Sequence, residues 1–392
     1  IYDRNGDIIF DDNAENGQYP DGYFKDLGNL IGDASGQMTN TLVAKNLEKL
    51  SNYSFTSGIT YKGGKAAIYS TLSHEANEAV YSAFGDKDGC AIAYNYKTGE
   101  ILVCVSRPSV DPLKGYEDLA EGSLLCKAFY KTVPGSTQKI ATLISAVETM
   151  GMDALMEKSF TCNGVYTNNT GLDIVCHNEY GHGTQNIREA FANSCNPFFA
   201  QLVEDSGWSL SDIEDCYKKL GYSVNGSEET EISIDGIISS KASTTLEDKN
   251  EFNTQWSCIG QGTSLVSPCQ LMMWQSAIAN ESGKSTMPYL IDHVTNVNGR
   301  TVENASTNYS EQLFSSQTAS EVKDIMLENG LNYTGKIPGY TLGIKSGTAQ
   351  VKDGKEENSL LTGFVDDKDF PIAFAILIEN RESYDVSTEY IA

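Results

Sequence analysis

The sequence predicts an α+β domain in which helices flank an antiparallel sheet. Residues 73–84, SHEANEAVYSAF, place apolar side chains at helical spacing, and residues 90–96 and 101–106 have the pattern of two strands joined by a polar turn. Two more strand candidates, YTLGIKSGTAQV and FPIAFAILIEN, come late in the chain. Because strands and helices do not alternate regularly, the pattern favours the α+β class over a parallel doubly wound sheet.

Local signals place the other elements. One apolar helical face follows the stretch VPGSTQKI, at Ile140, Leu143, Ile144, Val147 and Met150. Asn186 is a candidate cap for the helix IREAFA, a further helix follows Pro197, and QLMMWQSAIAN is helical. Residues 223–255 are polar and weakly periodic, so they are expected to form a long loop.

The chain divides into a short lead-in and one large domain. With 392 residues it is long enough to bury a sizeable core. Residues 1–65 are polar and rich in Gly, Asn and Asp, which predicts a small N-terminal pedestal or linker remnant. Residues 66–392 carry the regular patterns and are expected to form the main domain.

The charge balance excludes several classes of partner. Lys and Arg number 28 against 53 Asp and Glu, which leaves a formal charge of -25 at pH 7. Such a surface repels nucleic acid and anionic membranes, so no nucleic-acid partner is expected.

No stretch approaches the roughly 20 apolar residues of a membrane span. Residue 1 is not Met and no signal sequence follows it, so the chain is expected to be an excised piece or a processed form, with any membrane anchor upstream.

The nine cysteines do not form the dense framework of a small secreted scaffold. Their number is odd, so at least one thiol is unpaired within the chain. Cys162 and Cys176 flank a polar excursion that a disulfide between them could close, but sequence does not decide this pairing. A zinc site from Cys176, His177 and His182 is not expected, because their spacing matches no known ligand pattern.

A first short motif combines a serine with a lysine. Pro134 and Gly135 precede Ser136, which predicts that Ser136 lies near a helix N-terminus, where free amides and the helix dipole favour an oxyanion. Lys139 is three residues further on and shares a helical face with Ser136. A lysine can activate a serine if burial and nearby cations lower its pKa. A serine cap followed by a solvated lysine produces the same pattern, and for this motif taken singly that is the better interpretation.

Two later motifs favour the catalytic interpretation of Ser136 and Lys139 over a helix cap and a solvated lysine. Ser194 and Asn196 are two residues apart, so an irregular turn can direct both into a cleft, with Cys195 pointing elsewhere. In LGIKSGTAQV, strand alternation places Lys345, Gly347 and Ala349 on one side, with Ser346 and Thr348 opposite. A glycine within a strand often marks close approach of a ligand or another backbone. A loop would explain the second motif taken singly, and an edge strand would explain the third. Neither explains why all three motifs occur in one chain.

In this order the motifs resemble the S-x-x-K, S-D-N and K-T-G signature of penicillin-binding proteins and class A β-lactamases. The chain is similar to class B penicillin-binding proteins over nearly its whole length. Matching segments occur in the family's order: IYDRNGDII, KTGEILVCVSRPSVDP, YKTVPGSTQKIAT, ANSCNPFFA, IGQGTSLVSPCQ and IKSGTAQV. Leu360 and Leu361 depart from the family, since many relatives have a Trp-Phe pair there. The resemblance implies the penicillin-binding/β-lactamase-like transpeptidase fold.

The resemblance also implies a function and residue roles. The expected activity is a peptidoglycan D,D-transpeptidase that cross-links stem peptides through an acyl-serine intermediate and is acylated by β-lactams. Ser136 would be the nucleophile and Lys139 its base, Ser194 would relay protons, and Lys345 would keep the site cationic. Asn196 would hold the substrate peptide. Ser346, Gly347 and Thr348 belong to the substrate-binding strand, where the two hydroxyls would bind the terminal carboxylate. The backbone amides of Ser136 and Thr348 would form the oxyanion hole.

The setting implied by the family is the extracytoplasmic face of a bacterial membrane, with a membrane glycosyltransferase as partner. No cofactor or metal is expected. Three alternatives remain: a D,D-carboxypeptidase, a β-lactamase, or a non-catalytic penicillin-binding sensor or scaffold. Glu328 and Asn332 have the Glu-x-x-x-Asn spacing of a β-lactamase but lie close to Lys345, which favours a chance match. A Ser-His-Asp hydrolase is disfavoured, since no G-x-S-x-G elbow is present.

Overall fold

The structure is a computed structural model that describes residues 1–11, 23–33, 35–50, 53–54, 58–59, 66–111, 114–227, 231–352 and 354–392. Its α-helices are α1 Tyr23–Asp26, α2 Gly28–Ile31, α3 Leu42–Lys45, α4 Leu47–Leu50, α5 His74–Ala83, α6 Lys139–Met150, α7 Met152–Met156, α8 Ile187–Ala192, α9 Asn196–Glu204, α10 Leu210–Lys219, α11 Phe252–Ile259, α12 Pro268–Ala279, α13 Ser316–Gly330 and α14 Thr388–Ile391. Short 3₁₀ helices lie at Lys127–Phe129, Gly135–Gln138 and Leu331–Tyr333. None of the helices in these ranges has the length and apolar character needed to cross a membrane.

The strands form one large sheet and several small ones. They are β1 Tyr53–Ser54, β2 Gly58–Ile59, β3 Ala67–Ser70, β4 Gly89–Asn95, β5 Ile101–Arg107, β6 Phe160–Cys162, β7 Val165–Thr167, β8 Asp173–Val175, β9 Gly183–Gln185, β10 Ser223–Val224, β11 Glu231–Ile234, β12 Ile237–Ser240, β13 Ser243–Thr244, β14 Ile291–Thr295, β15 Thr301–Asn304, β16 Leu342–Val351, β17 Glu356–Val365 and β18 Ile372–Ile378. The large sheet has the order β16-β17-β18-β4-β5, and every neighbouring pair is antiparallel. The predicted antiparallel sheet flanked by helices is therefore confirmed.

Both faces of the large sheet are covered. Strand β18 has the sequence IAFAILI, and all of its residues are buried, as expected for a central strand with packing on both sides. Helix α12 packs against β18 and β17 on one face, and each of its residues is buried. Helices α5 and α14 pack on the other face, where they close a second apolar cluster that includes Phe84, Ile344 and Ile391.

The N-terminal segment contributes to the main core. Ile9, Leu30 and Leu42 are completely buried and belong to the same apolar cluster as Ile140 and Trp274. Much of the lead-in between residues 12 and 65 lies outside the described residues. The proposed boundary between residues 1–65 and 66–392 therefore stays a prediction.

Most predicted elements are present, and the predicted long loop is wrong in part. The hairpin β4–β5, helices α5, α6 and α9, and strands β16 and β18 occur where expected, and Asn186 caps α8 in a capping box. Residues 223–255, however, include β10 to β13 and the start of α11. Asp235 and Gly236 both have positive φ and join β11 to β12 as a two-residue turn, and the Asp-Gly pair is the sequence signal for such a hairpin. Strand β17 was also not among the predicted strands.

Strand β16 packs directly on the 3₁₀ helix Gly135–Gln138, and glycines permit this contact. Gly135 has φ of 53°, and a Cβ there would lie 2.5 Å from the Thr348 carbonyl oxygen. At Gly347 a Cβ would lie 3.0 Å from both the Pro134 carbonyl oxygen and the Thr137 amide nitrogen. The two segments that carry the first and third motifs are therefore in backbone contact.

We expect Gly135→Ala to destabilise the protein more than Gly151→Ala does. Both glycines have positive φ, but a Cβ at Gly151 meets no atom within 4 Å. Gly151→Ala should lower the free energy of unfolding by about 1 kcal/mol through backbone strain, and Gly135→Ala by at least about 2 kcal/mol because it also separates the two backbones. Urea unfolding of both variants measures the difference. Equal losses would contradict the proposed close contact.

Candidate active site

The residues selected from the sequence meet at one cleft, although they come from three separate parts of the chain. Six of them line a cavity of about 590 Å³: Ser136, Ser194, Asn196, Ser346, Gly347 and Thr348. Lys139 and Lys345 are 0% and 1% exposed and reach these serine side chains from the protein interior. The structure thus brings all eight predicted residues together.

Ser136 and Lys139 are adjacent because of a local change in helix type. Ser136 lies within the 3₁₀ helix Gly135–Gln138, and the α-helix begins only at Lys139. The sequence predicts a helix with Ser136 at or near its N-terminus, without indicating the 3₁₀ turn. In a 3₁₀ turn the side chains at positions i and i+3 eclipse one another, which places the amine directly beside the hydroxyl. The distance between Lys139 Nζ and Ser136 Oγ is 2.5 Å.

The environment of Lys139 favours its neutral form. Burial, with the nearby positive charge of Lys345 as the second cause, holds the pKa of Lys139 well below its usual value of 10.5. Its Nζ also lies 2.8 Å from Asn196 Oδ1, to which it donates, and 3.5 Å from Ser194 Oγ. A neutral amine at hydrogen-bond distance from a serine can accept the hydroxyl proton.

Ser194 lies between the two lysines in a strained conformation. Its φ is 52°, in the left-handed region, which costs a non-glycine residue about 1 to 3 kcal/mol. Lys345 Nζ donates to Ser194 Oγ over 2.9 Å. The next side chain, Cys195, is completely buried and does not line the cavity, in agreement with the prediction that it is directed elsewhere. The turn therefore holds the Ser194 hydroxyl where a proton can pass between the two amines.

The Asn196 amide is partly engaged by the protein itself. Its Oδ1 accepts from Lys139, and its Nδ2 donates to the Val175 carbonyl oxygen over 3.0 Å. The amide nitrogen carries a second hydrogen that can serve a ligand in the cavity. Asn196 is thus anchored between the first motif and strand β8.

Strand β16 has the alternation that the sequence predicted. Lys345, Gly347 and Ala349 are buried, whereas Ser346 is partly exposed and Thr348 is exposed. The Lys345 ammonium donates to the Ser346 carbonyl oxygen, and burial lowers the pKa of Lys345 to about 7. The third motif therefore offers the cleft two hydroxyls backed by a cation.

Several side chains of the cleft were not found from the sequence. Tyr333 donates its hydroxyl hydrogen to Ser346 Oγ over 2.8 Å, and Gln261 donates to the Thr348 carbonyl oxygen over 3.4 Å. Trp256 and His177 line the cavity wall. Gln261 lies in the matching segment IGQGTSLVSPCQ, which is the one sequence signal that could have identified it. Tyr333, Trp256 and His177 carry no motif, so only the folded structure shows that they belong to the cleft.

A cluster of possible metal ligands lies behind the cleft wall. One ligand atom from each of Cys162, Cys176, His182 and Cys195 lies within 4.8 Å of the other three. Cys162 and Cys176 are free thiols, so the disulfide that the sequence left open is not formed. The sequence expectation excluded a metal site from the spacing of Cys176, His177 and His182. The structure instead groups Cys176 and His182 with two cysteines from other segments.

Lys345 should titrate near neutral pH in the isolated protein. Because burial lowers its pKa to about 7, it loses its proton more than three pH units below an ordinary lysine of pKa 10.5. Nuclear magnetic resonance of isotope-labelled lysine side chains should show one midpoint near 7 that disappears in Lys345→Arg. Lys352, which is exposed and has a raised pKa, provides an internal control that titrates only above 10.5. A Lys345 midpoint near 10.5 would contradict the proposed environment.

The site and fold can be compared with known proteins. Residues 89–391 match the family model for the penicillin-binding protein transpeptidase domain. Stage V sporulation protein D of Bacillus subtilis is 32% identical over 288 residues, which are 70% of this chain and 42% of that protein. Peptidoglycan D,D-transpeptidase PbpA of Mycolicibacterium smegmatis is 25% identical over 352 residues, which are 83% of this chain and 69% of that protein.

Solved structures share the fold. Penicillin-binding protein A from Mycobacterium tuberculosis, solved as a penicillin G acyl-enzyme complex, superimposes with a TM-score of 0.79 at 19% identity, covering 96% of this chain and 91% of that one. The chain spans less than half the length of the sporulation protein. On the match of most of its length to the family model, the chain belongs to the penicillin-binding protein transpeptidase family.

Proposed function

We propose that this protein is a peptidoglycan D,D-transpeptidase that works through an acyl-serine intermediate. The observation that carries the proposal is the Lys139 amine, which is buried, has a lowered pKa and lies 2.5 Å from Ser136 Oγ in an open cleft. The names of the relatives agree with this chemistry, since PbpA is a peptidoglycan D,D-transpeptidase.

The first half of the reaction acylates Ser136. Its Oγ attacks the carbonyl carbon of the terminal D-Ala-D-Ala peptide bond while Lys139 accepts the hydroxyl proton. The carbonyl oxygen becomes an oxyanion, which the backbone N–H groups of Ser136 and Thr348 stabilise. The C–N bond then breaks, the leaving D-Ala nitrogen receives a proton through Ser194, and the donor peptide stays bound to Ser136 as an ester.

Binding of the donor relies on its carboxylate. The hydroxyls of Ser346 and Thr348 face the cavity, and the charged form of Lys345 lies behind them. A carboxylate accepts such charge-assisted hydrogen bonds well. The remaining N–H of Asn196 holds the peptide carbonyl on the other side of Ser136. The second half of the reaction transfers the acyl group to an acceptor amine and frees Ser136.

The class A β-lactamase alternative finds no support at Glu328 and Asn332. A β-lactamase of class A uses a glutamate to activate water for deacylation. Glu328, which has the required sequence spacing, is 55% exposed and its carboxylate pairs with Arg188 at 2.7 Å. Asn332 bonds to Asn329 rather than to the cleft. The Glu-x-x-x-Asn pattern therefore supports no deacylating role, and a long-lived acyl-serine is expected.

The proposed setting is the outer face of a bacterial membrane. The substrate is polymerised peptidoglycan, so a glycosyltransferase that makes the glycan strand is the expected partner. A membrane anchor upstream of residue 1 would keep the domain near both. β-Lactams are expected to acylate Ser136, and the solved relative from Mycobacterium tuberculosis forms an acyl-enzyme complex with penicillin G.

Exposure to penicillin should add one acyl group to the protein, and Ser136→Ala should abolish the adduct. Intact mass spectrometry measures the mass increase and its persistence over hours after free penicillin is removed. Ser145→Ala is a control in the adjoining helix α6, because Ser145 is completely buried and donates to the Ala141 carbonyl oxygen rather than to a residue of the cleft. No adduct on the parent protein would contradict acyl-serine chemistry, and release within seconds would favour a β-lactamase.

Transfer of the acyl group from Ser136 to an acceptor amine requires a second measurement. A synthetic stem peptide ending in D-Ala-D-Ala, supplied with a D-amino acid as acceptor, should exchange its terminal residue in the presence of the protein. Formation of the hydrolysed peptide without exchange would favour a D,D-carboxypeptidase. The absence of both products, with penicillin still bound, would favour a sensor or scaffold.

The rate of acylation at limiting penicillin should depend on pH in a bell shape. The rate rises as Lys139 loses its proton, and it falls above about pH 7 as Lys345 loses the charge that attracts the carboxylate. In Lys345→Arg the falling limb should move to much higher pH, because a guanidinium keeps its proton, while the rising limb remains. Lys352→Arg changes an exposed lysine and should leave both limbs in place. A falling limb that stays near 7 in Lys345→Arg would contradict this assignment.

A further inference from the structure

The Cys162, Cys176, His182 and Cys195 side chains form a preorganised ligand set outside the acylation chemistry. Cys162 ends β6, whose partner β9 begins directly after His182, and the two strands pair Cys162 with Gly183. The His182 amide donates to the Cys162 carbonyl oxygen over 3.0 Å. Cys176 follows β8, and Cys195 is the N-cap residue of α9. Three segments of the chain therefore bring their sulfur and nitrogen ligand atoms close together.

The backbone around the cluster is tightly closed. The Cys176 amide donates to the Gly164 carbonyl oxygen over 2.8 Å. A Cβ at Gly164 would lie 2.1 Å from the Glu179 carbonyl oxygen, and one at Gly181 would lie 2.2 Å from that of Cys162. Only glycines allow these two turns to cross so closely, and the crossing holds the ligand-bearing residues in place without any disulfide.

The donor set suits zinc. Three thiolates and one imidazole are a common tetrahedral set for structural zinc, with bonds of about 2.3 Å to sulfur and 2.0 to 2.1 Å to nitrogen. Such bond lengths place the ligand atoms of this set about 3.5 to 3.8 Å apart in a tetrahedron. Cys176 Sγ and His182 Nδ1 are already 3.5 Å apart, and the whole set lies within 4.8 Å. A contraction of about 1 Å completes the geometry.

A buried hydrogen-bond donor lies beside Cys195. The Gln185 side chain lies against Cys195, and its buried Nε2 has no hydrogen-bond partner among the described residues. An unpaired buried donor is costly, and a metal-bound thiolate would give this N–H an acceptor.

We propose that Cys162, Cys176, His182 and Cys195 bind one zinc ion that supports the wall of the cleft. Binding releases the thiol protons and forms three Zn–S bonds and one Zn–N bond, with no change in oxidation state. The ion ties the segment 160–185 to the turn of the second motif. Cys195 stands between Ser194 and Asn196, and Cys176 follows Val175, whose carbonyl oxygen holds the Asn196 amide. The four ligands thus act on catalysis by positioning Ser194 and Asn196.

The direct test is the metal content of the purified protein. We expect about one zinc per chain by elemental mass spectrometry, and cobalt(II) replacing it should give the visible absorption of a tetrahedral thiolate site. Cys162→Ser and His182→Gln should each lose stoichiometric zinc. Cys216→Ser and His293→Gln are matched controls, because neither residue belongs to the cluster, and both should retain the metal. A zinc-free parent that also fails to bind added zinc or cobalt, or zinc retained equally in all four variants, would overturn the proposal.

Two further measurements cover variants that fail to fold. In the parent protein a zinc chelator should lower the melting temperature, and added zinc should restore it. Alkylation in denaturant without reductant should label all nine cysteines. A count two lower that maps to this cluster would instead show a disulfide and would overturn the zinc site. None of these readouts depends on acylation, so the zinc site and the transpeptidase proposal can fail separately.

If the ion positions the second motif, its removal should slow acylation of the folded protein. Penicillin labelling before and after chelation measures this effect at a pH where Lys139 is neutral. We expect a slower acylation rate at that pH, because Ser194 and Asn196 lose the support of the ion. An unchanged rate after complete zinc removal would contradict the positioning role.

Discussion

Two lysine amines buried beside one serine hydroxyl are the constraint on which the rest of this structure depends. Neither amine has a carboxylate among the charges that act on it within the described residues. The fall of the Lys345 pKa from 10.5 to about 7 corresponds to a lost preference for the charged form of about 5 kcal/mol. The folded lysine binds its proton more weakly than the unfolded one, so this penalty is complete below about pH 7 and disappears as pH rises through 10.5. The surrounding fold must offset this penalty, and the benefit is a positive charge beside Lys139 that helps to lower the pKa of Lys139.

The fold provides this support through rigid packing around the cleft. Helix α12 is buried along its whole length, and the completely apolar β18 lies between two layers. On this base, β16 rests against the 3₁₀ helix of Ser136 through glycine contacts. Ser194 is held at a positive φ. Backbone strain and buried charge therefore occur together at the cleft, as is common where a protein gives up folding stability for catalysis.

The cleft wall opposite β16 is built differently. The segment 160–185 consists of short two-stranded sheets and tight turns, and it contributes few large apolar side chains. Hydrogen bonds such as those from Asn193 to Gln185 and from Asn196 to Val175 join it to the second motif, next to the cysteine and histidine cluster. A metal ion in that cluster would add a further link between the two segments. It would do so next to Asn196, where small displacements change the position of a bound peptide.

The sequence by itself determined the fold class, the main helices and strands, and the eight residues of the cleft. These follow from local patterns: periodicity, caps, and three motifs whose order resembles one family. Tertiary structure decided the rest. The Asp-Gly hairpin in the predicted loop is a local signal that was overlooked, but the roles of Tyr333 and Gln261 depend on contacts between distant elements. The lowered pKa of each lysine arises from burial, which no spacing reveals. The metal ligand set combines residues from 162 to 195 because two strands and a helix N-terminus converge, and only the folded chain brings their sulfur and nitrogen atoms together.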